Sequence, residues 1–242
     1  MTERVVILGA TGGIGAALAR RVAARGAMPV LLARDASRLA ELAAELPGAE
    51  TAVVDVLDAA ALKAAVADAG SPLAGLAFCV GSILLKPASR TSEAEMLDAF
   101  RLNVVAAAMA VQAALPALVA GGGSVVLFSS VAARAGFPNH LAIGTAKAAV
   151  EGMTLSLAAE LAPAVRVNCI APSLTRSRIA EPLVKNPAMA EAIAKLHPIP
   201  RLGEPDDVAA LADLLLSPQA GWITGQVIGV DGGRGSLRAK GG

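Results

Sequence analysis

Four glycines, Gly9, Gly12, Gly13 and Gly15, punctuate the stretch Gly9-Ala10-Thr11-Gly12-Gly13-Ile14-Gly15. The apolar run Val5-Val6-Ile7-Leu8 precedes it, and Ile14, Ala17, Leu18 and Val22 recur behind it at helical spacing. Strand, glycine turn and helix is the arrangement that sets a pyrophosphate on a helix N-terminus, where unpaired backbone N–H groups meet the anion. Glycine suits such a turn because the chain bends tightly and the backbone must come close to phosphate. Methyltransferases use similar turns, so the next signals matter. A residue that reads the adenosine ribose is expected about 20 positions after the glycines. There the second apolar run ends in Ala33, followed by Arg34. Ala33 cannot accept from a free 2′-hydroxyl, whereas Arg34 offers a planar cationic fork for a 2′-phosphate, which favours NADP(H) over NAD(H). Asp35 beside it argues the other way. Asp55, in Val54-Asp55-Val56, either accepts from the adenine amino group or caps the next turn. Gly81, after another apolar run, leaves room for the cofactor to pass.

These residues must be held by something large. The chain has 242 residues, enough for one sizeable α/β core, and is 55% hydrophobic, much of it alanine. A net charge of +1 offers no nucleic-acid footprint. Residues 104–120 are the most membrane-like, but Gln112 and Pro116 interrupt them and they fall short of the ~20 residues of a span, so they read as a buried helix. The first residues run straight into a strand with no signal peptide, and the expected location is the cytoplasm. Cys79 and Cys169 sit in apolar segments and read as buried free thiols. Two scattered histidines and two cysteines offer no metal site.

Strand patterns over 5–8, 30–33, 52–54, 75–80, 125–128, 165–170 and 227–230 alternate with helical patterns over 14–24, 37–45, 59–69, 93–119, 142–161 and 205–216. Apolar strands separated by helices predict a parallel sheet of about seven strands covered on both faces. Right-handed crossovers make it a doubly wound Rossmann fold, here one domain over 1–242. Residues 173–200, with Pro182, Pro187, Pro198 and Pro200, are the least regular and read as a substrate lid. The lid mixes Leu174, Ile179, Leu183 and Val184 with Arg176, Arg178 and Lys185, which suggests an amphipathic or anionic substrate. His197 either enters the site from the lid or decorates a turn. The tail 235–242 is expected to fray.

Taken together, the chain resembles the short-chain dehydrogenase/reductase family along nearly its full length. Gly9, Gly13 and Gly15 match that family's glycine spacing, and Asp55-Val56 its adenine-contact motif. Of its usual Asn-Asn-Ala-Gly, only Gly81 survives. The resemblance implies that Asn103 holds a relay water, Ser130 orients the substrate and Lys147 binds the nicotinamide ribose. It also implies that Pro172 ends the sixth strand with Ser173 in place of a glycine, and that Ser177 (or Thr175) meets the carboxamide. Arg166-Val167-Asn168, Arg201 to Pro205, Ile223 to Gln226 and Val230 to Gly233 complete the pattern. The family usually forms homodimers or homotetramers through long helices.

One departure is decisive. The family's catalytic tyrosine stands four residues before the lysine, and here that position is Ile143; the whole chain contains no tyrosine. Isoleucine has no exchangeable proton. His140, Ile143 and Lys147 fall at i, i+3 and i+7, on one face if the helix has begun by His140. Histidine titrates near neutrality and is the first candidate for the missing acid. Lys147 and a Ser130–water relay are the others. The expected activity is hydride transfer between NADP(H) and a small carbonyl or alcohol substrate with a non-standard proton donor. The competing expectation is an inactive nucleotide-binding sensor or assembly protein on the same fold.

Overall fold

A computed structural model describes residues 2–237; the predicted tail beyond Leu237 lies outside the described residues. Seven strands form one parallel sheet in the order β3-β2-β1-β4-β5-β6-β7: β1 (Arg4–Leu8), β2 (Met28–Ala33), β3 (Glu50–Val53), β4 (Gly75–Phe78), β5 (Ser124–Phe128), β6 (Arg166–Pro172) and β7 (Val227–Val230). The inner strands β1, β2, β4 and β5 are largely apolar because both faces are covered, whereas β3 at the sheet edge, Glu50-Thr51-Ala52-Val53, is mostly exposed. In β1, Val5 and Ile7 enter one core and Val6 and Leu8 the other, the period-two consequence of the pleat. Helices α1 (Gly13–Ala24), α2 (Ala36–Glu45) and α9 (Pro205–Leu216) close the first core. Helices α3 (Ala59–Asp68), α4 (Glu93–Phe100), α5 (Ala106–Gly121) and α6 (Leu141–Leu161) close the second.

The strand order reverses between β1 and β4, so the crevice at their C-terminal ends is the place where this architecture binds ligands. The expected helix over 93–119 is interrupted: a π-turn spans Arg101–Val105 and carries Asn103. Glu93–Gly121 as a whole is long and apolar enough, by length and composition, to cross a membrane. In the fold its Ala107, Ala110, Val111, Ala114 and Leu118 are buried against the sheet.

The stretch 173–200 is more ordered than its prolines suggested. It contains a short turn of 3-10 helix (Arg178–Ala180), α7 (Glu181–Val184) and α8 (Pro187–Lys195), the last started by Pro187 and capped by the Asn186 side chain. After β7, Gly233 and Gly235 each donate a backbone N–H to the Asp231 carboxylate at 2.8 Å. A polar clamp joins β6 to the C-terminal segment. Asn168 donates to Ile223 O at 2.9 Å and accepts from Gln226 N at 3.1 Å, and Arg166 donates to the Leu215 and Ser217 carbonyls. The matching motifs seen in the sequence thus build the sheet edge.

Candidate active site

The glycine turn packs against the end of β4. Gly9 has φ +76°, a left-handed conformation, and a Cβ there would lie 3.0 Å from the Cys79 backbone; a Cβ on Gly15 would meet Gly9 O at 2.4 Å. These two glycines are therefore required by chain packing as well as by any phosphate. Helix α1 begins at Gly13, one residue before the expected start, and its first turn has neither a side-chain cap nor an acidic residue. By contrast α2, α3, α4 and α8 are capped by Asp35, Asp58, Ser92 and Asn186. The open first-turn amides of α1 face a cavity of about 630 Å³ lined by Gly9, Thr11, Gly12, Gly13, Ile14 and Arg34, and also by Asp55 and Val56. Such a cradle fits a pyrophosphate.

At the adenosine end, the Asp35 carboxylate is already engaged. It accepts from Arg38 N at 3.1 Å and pairs with the Arg38 guanidinium at 3.3 Å. Arg38 lines the same cavity as Arg34, a second cation that the sequence reading missed because its helical position, not its strand register, brings it there. Asp55 accepts from Leu57 N at 3.0 Å, while Asp58 caps α3, so Asp55 shapes a turn but not the helix end.

A second cavity, of about 410 Å³, adjoins the first, sharing Ile14, Val80, Gly81 and Ser177 with it. Ser130, His140, Ile143, Lys147 and Pro172 line it, so the structure brings the candidate catalytic residues to one place. The Lys147 ammonium is buried and donates to Phe128 O at 2.8 Å. Burial pulls its pKa down to about 8. Burial also pushes the thiols of Cys79 and Cys169, both free, up to about 12. Asn103 donates to Ala99 O at 2.9 Å and to Ser82 Oγ at 3.3 Å, but its buried Oδ1 has no partner. A Cβ on Gly81 would lie 3.2 Å from that oxygen and 3.3 Å from Lys147 Nζ. Glycine therefore keeps a gap open between an orphaned acceptor and a buried cation, as a bound ribose or water requires. Ser130 Oγ accepts from Ala132 N at 3.2 Å, which leaves its own proton free for a substrate oxygen.

His140 immediately precedes α6, so the anticipated shared helical face does not extend to it; only Ile143 and Lys147 lie within the helix. Its Nδ1 lies 2.7 Å from Pro138 O. A carbonyl only accepts, so Nδ1 carries the proton and Nε2 is free to exchange one. His197 behaves unlike either expectation. It is buried, its Nδ1 donates to Ile193 O at 2.9 Å, and its Nε2 pairs with Ser173 Oγ at 2.8 Å. It pins the end of α8 to the end of β6. Ser177 donates to Thr175 O at 3.3 Å and lines both cavities. The lid cations do not line the second cavity: Arg176 pairs with Glu204 at 3.1 Å, and Arg178 donates to Thr11 O at 3.1 Å across the glycine turn. Among the described residues no group of three His, Cys, Asp or Glu side chains is placed to hold a metal ion.

The sequence model of a family described as "Enoyl-(Acyl carrier protein) reductase" matches residues 9–234. The chain is 34% identical over 238 residues to dehydrogenase/reductase SDR family member 4 of Rattus norvegicus, covering 94% of this chain and 85% of the relative. The chain belongs to the short-chain dehydrogenase/reductase family. It is accordingly an oxidoreductase of the nicotinamide-dependent class. A solved short-chain dehydrogenase/reductase from Mycobacterium ulcerans superposes with a TM-score of 0.91 at 31% identity, covering 98% of this chain and 91% of that one. A gluconate 5-dehydrogenase from Burkholderia cenocepacia, solved in complex with NADP and tartrate, superposes with a TM-score of 0.91 at 27% identity, covering 97% of this chain and 96% of that one. Ile143 stands four residues before Lys147, and the chain has no tyrosine.

Proposed function

We propose that the protein is an NADP(H)-dependent oxidoreductase that interconverts a small carbonyl and its alcohol, with His140 in place of the missing tyrosine as proton donor. The observation that carries the reading is the continuity of the uncapped glycine cradle with the cavity holding Ser130, His140 and Lys147. Gly9, Thr11, Gly12, Gly13, Ile14 and Gly15 receive the pyrophosphate. Arg34 and Arg38 bind the 2′-phosphate, and the engagement of Asp35 by Arg38 favours that phosphate over a free hydroxyl. Asp55 and Val56 flank the adenine. Lys147 holds the nicotinamide ribose across Gly81, and Pro172 and Ser177 border the ring. When bound, the nicotinamide supplies or accepts the hydride.

In the reductive direction Ser130 orients the carbonyl oxygen by donating a hydrogen bond to it and keeps its proton, and His140 starts as the imidazolium. His140 gives its Nε2 proton to that oxygen as the hydride reaches carbon. The imidazole is left neutral with its Nδ1 proton still on Pro138 O. Asn103 holds a water beside Lys147 through its unpartnered Oδ1. Fixing both reactants in the cavity supplies much of the acceleration even with an atypical acid. The reading includes a cytoplasmic homodimer or homotetramer.

The test is a fluorescence titration with NADPH and NADH, followed by a panel of carbonyl substrates. NADPH is expected to bind at least tenfold tighter than NADH, an advantage lost in Arg34→Ala. His140→Asn is expected to lower turnover by ~10²–10³, the usual worth of a general acid. Turnover unchanged in that variant would transfer the role to Lys147 and water. Tight binding with no turnover on any carbonyl would instead favour the nucleotide-binding sensor.

A further inference from the structure

The substrate cavity is lined mainly by apolar side chains, with no Asp or Glu among them. Its charged lining is Lys147, which the mechanism uses, and Arg234, which it does not. Arg234 lies in the turn after β7, and its guanidinium carbon stacks 4.8 Å from the centroid of the Phe137 ring. The carboxylate nearest in sequence, Asp231, is turned away, with both oxygens accepting backbone N–H groups from Gly233 and Gly235. Among the described residues no carboxylate pairs with Arg234 and no acceptor takes its side-chain N–H groups. Partial burial already depresses its pKa, the mark of a cation that has lost water without gaining a counter-ion. A guanidinium stays charged in such a place, so its donors await an anion.

We infer that Arg234 is an anchor for a carboxylate on the substrate, making this an enzyme of oxo acids or hydroxy acids with an apolar body. The inference rests on the reading that the cavity beside Ser130 and Lys147 takes the substrate. Phe137 links the anchor to the reacting end, because its ring also packs against His140 at 5.4 Å between centroids. Phe137 thus touches both the anchor and His140, and the carbon chain of the substrate runs between the two ends. A planar guanidinium binds a carboxylate through two parallel hydrogen bonds, and the stacked ring fixes the plane of that fork. The lid side chains Leu174, Ile179 and Leu183 cover the apolar body.

The test compares hexanoate with hexanamide, ligands alike in shape and different in charge, by calorimetric titration of the protein with and without saturating NADPH. Hexanoate is expected to bind at least tenfold tighter. In R234Q, and in R234M, whose straight side chain preserves packing on Phe137, hexanoate is expected to fall to the level of hexanamide. Equal binding of the two ligands by the unaltered protein would overturn the proposal, as would a hexanoate preference that persists in either variant. NADPH binding, measured in the same titrations, reports separately on the oxidoreductase reading. Its failure would sink that reading while the two acyl ligands still decide the role of Arg234.

Discussion

Lys147 carries an ammonium group to the C-terminal end of β5, where Phe128 O accepts one of its hydrogen bonds. In the unfolded chain it titrates near 10.5, and in the fold at about 8, because burial disfavours the charged form. Between those values the unfolded chain binds more protons than the native one, so this group makes stability rise with pH from about 8 to 10.5. Cys79 and Cys169 act in the opposite sense. Their thiols titrate near 9 when unfolded and at about 12 when folded, so above pH 9 the unfolded chain holds fewer protons and stability falls. The nucleotide-free protein is expected to be most stable near pH 9. Urea unfolding of the wild type and Lys147→Met across pH 7.5–10 isolates the lysine: the wild type should gain on the variant as pH rises. A difference that stays flat with pH would show that Lys147 is not held with a depressed pKa. Lys147 and Ser130 were legible in the sequence because a known pattern named their spacing. Arg234 was not, because its meaning lies in an absent partner, which only three-dimensional neighbours can reveal.

The lid, rather than the sheet, is the element whose behaviour is least written in local pattern. Its prolines signalled irregularity, yet Pro187 begins a helix whose Asn186 cap and C-terminal His197 are both satisfied. His197 ties α8 to Ser173 at the end of β6, far away in sequence, through a hydrogen bond of 2.8 Å. Removing the buried ring leaves a small void and takes away the partner of the half-buried Ser173 hydroxyl, so His197→Ala is expected to cost roughly 1–3 kcal/mol. Denaturant unfolding measures that loss, and limited proteolysis should show cleavage moving into residues 178–196. A variant as stable and as protease-resistant as the wild type would remove His197 from the support of the lid. The π-turn at Arg101–Val105 belongs to the same class of feature. Nothing in the alternation of Leu102, Val104 and Val105 separates it from the α-helical register on either side. It places Asn103 against Ser82 and Gly81, and packing between α4 and α6 is what holds it.

At the scale of the molecule, the helices beside the second core leave apolar side chains uncovered. Leu97, Phe100, Val105 and Met109 along α4, the π-turn and α5, and Leu155 on neighbouring α6, are substantially exposed. An apolar surface of this extent on paired helices supports assembly with a second copy. Light scattering after size exclusion is expected to report a dimer or tetramer, and Met109→Glu with Leu155→Glu to shift it to a smaller species. A monomer at micromolar concentration would remove that part of the reading. The sequence by itself determined the alternation of seven strands with helices, the doubly wound parallel sheet and the glycine turn that opens α1. These follow from periods of two and 3.6 residues and from backbone positions open only to glycine, all of which are local. Tertiary structure alone decided that Arg38 engages Asp35 beside the cavity that Arg34 lines and that His197 is a structural pin. It also decided that Arg234 lines the cavity of Ser130 and Lys147 and pairs with no carboxylate among the described residues. Such assignments depend on the direction of one side chain toward another element, and no local period records that direction.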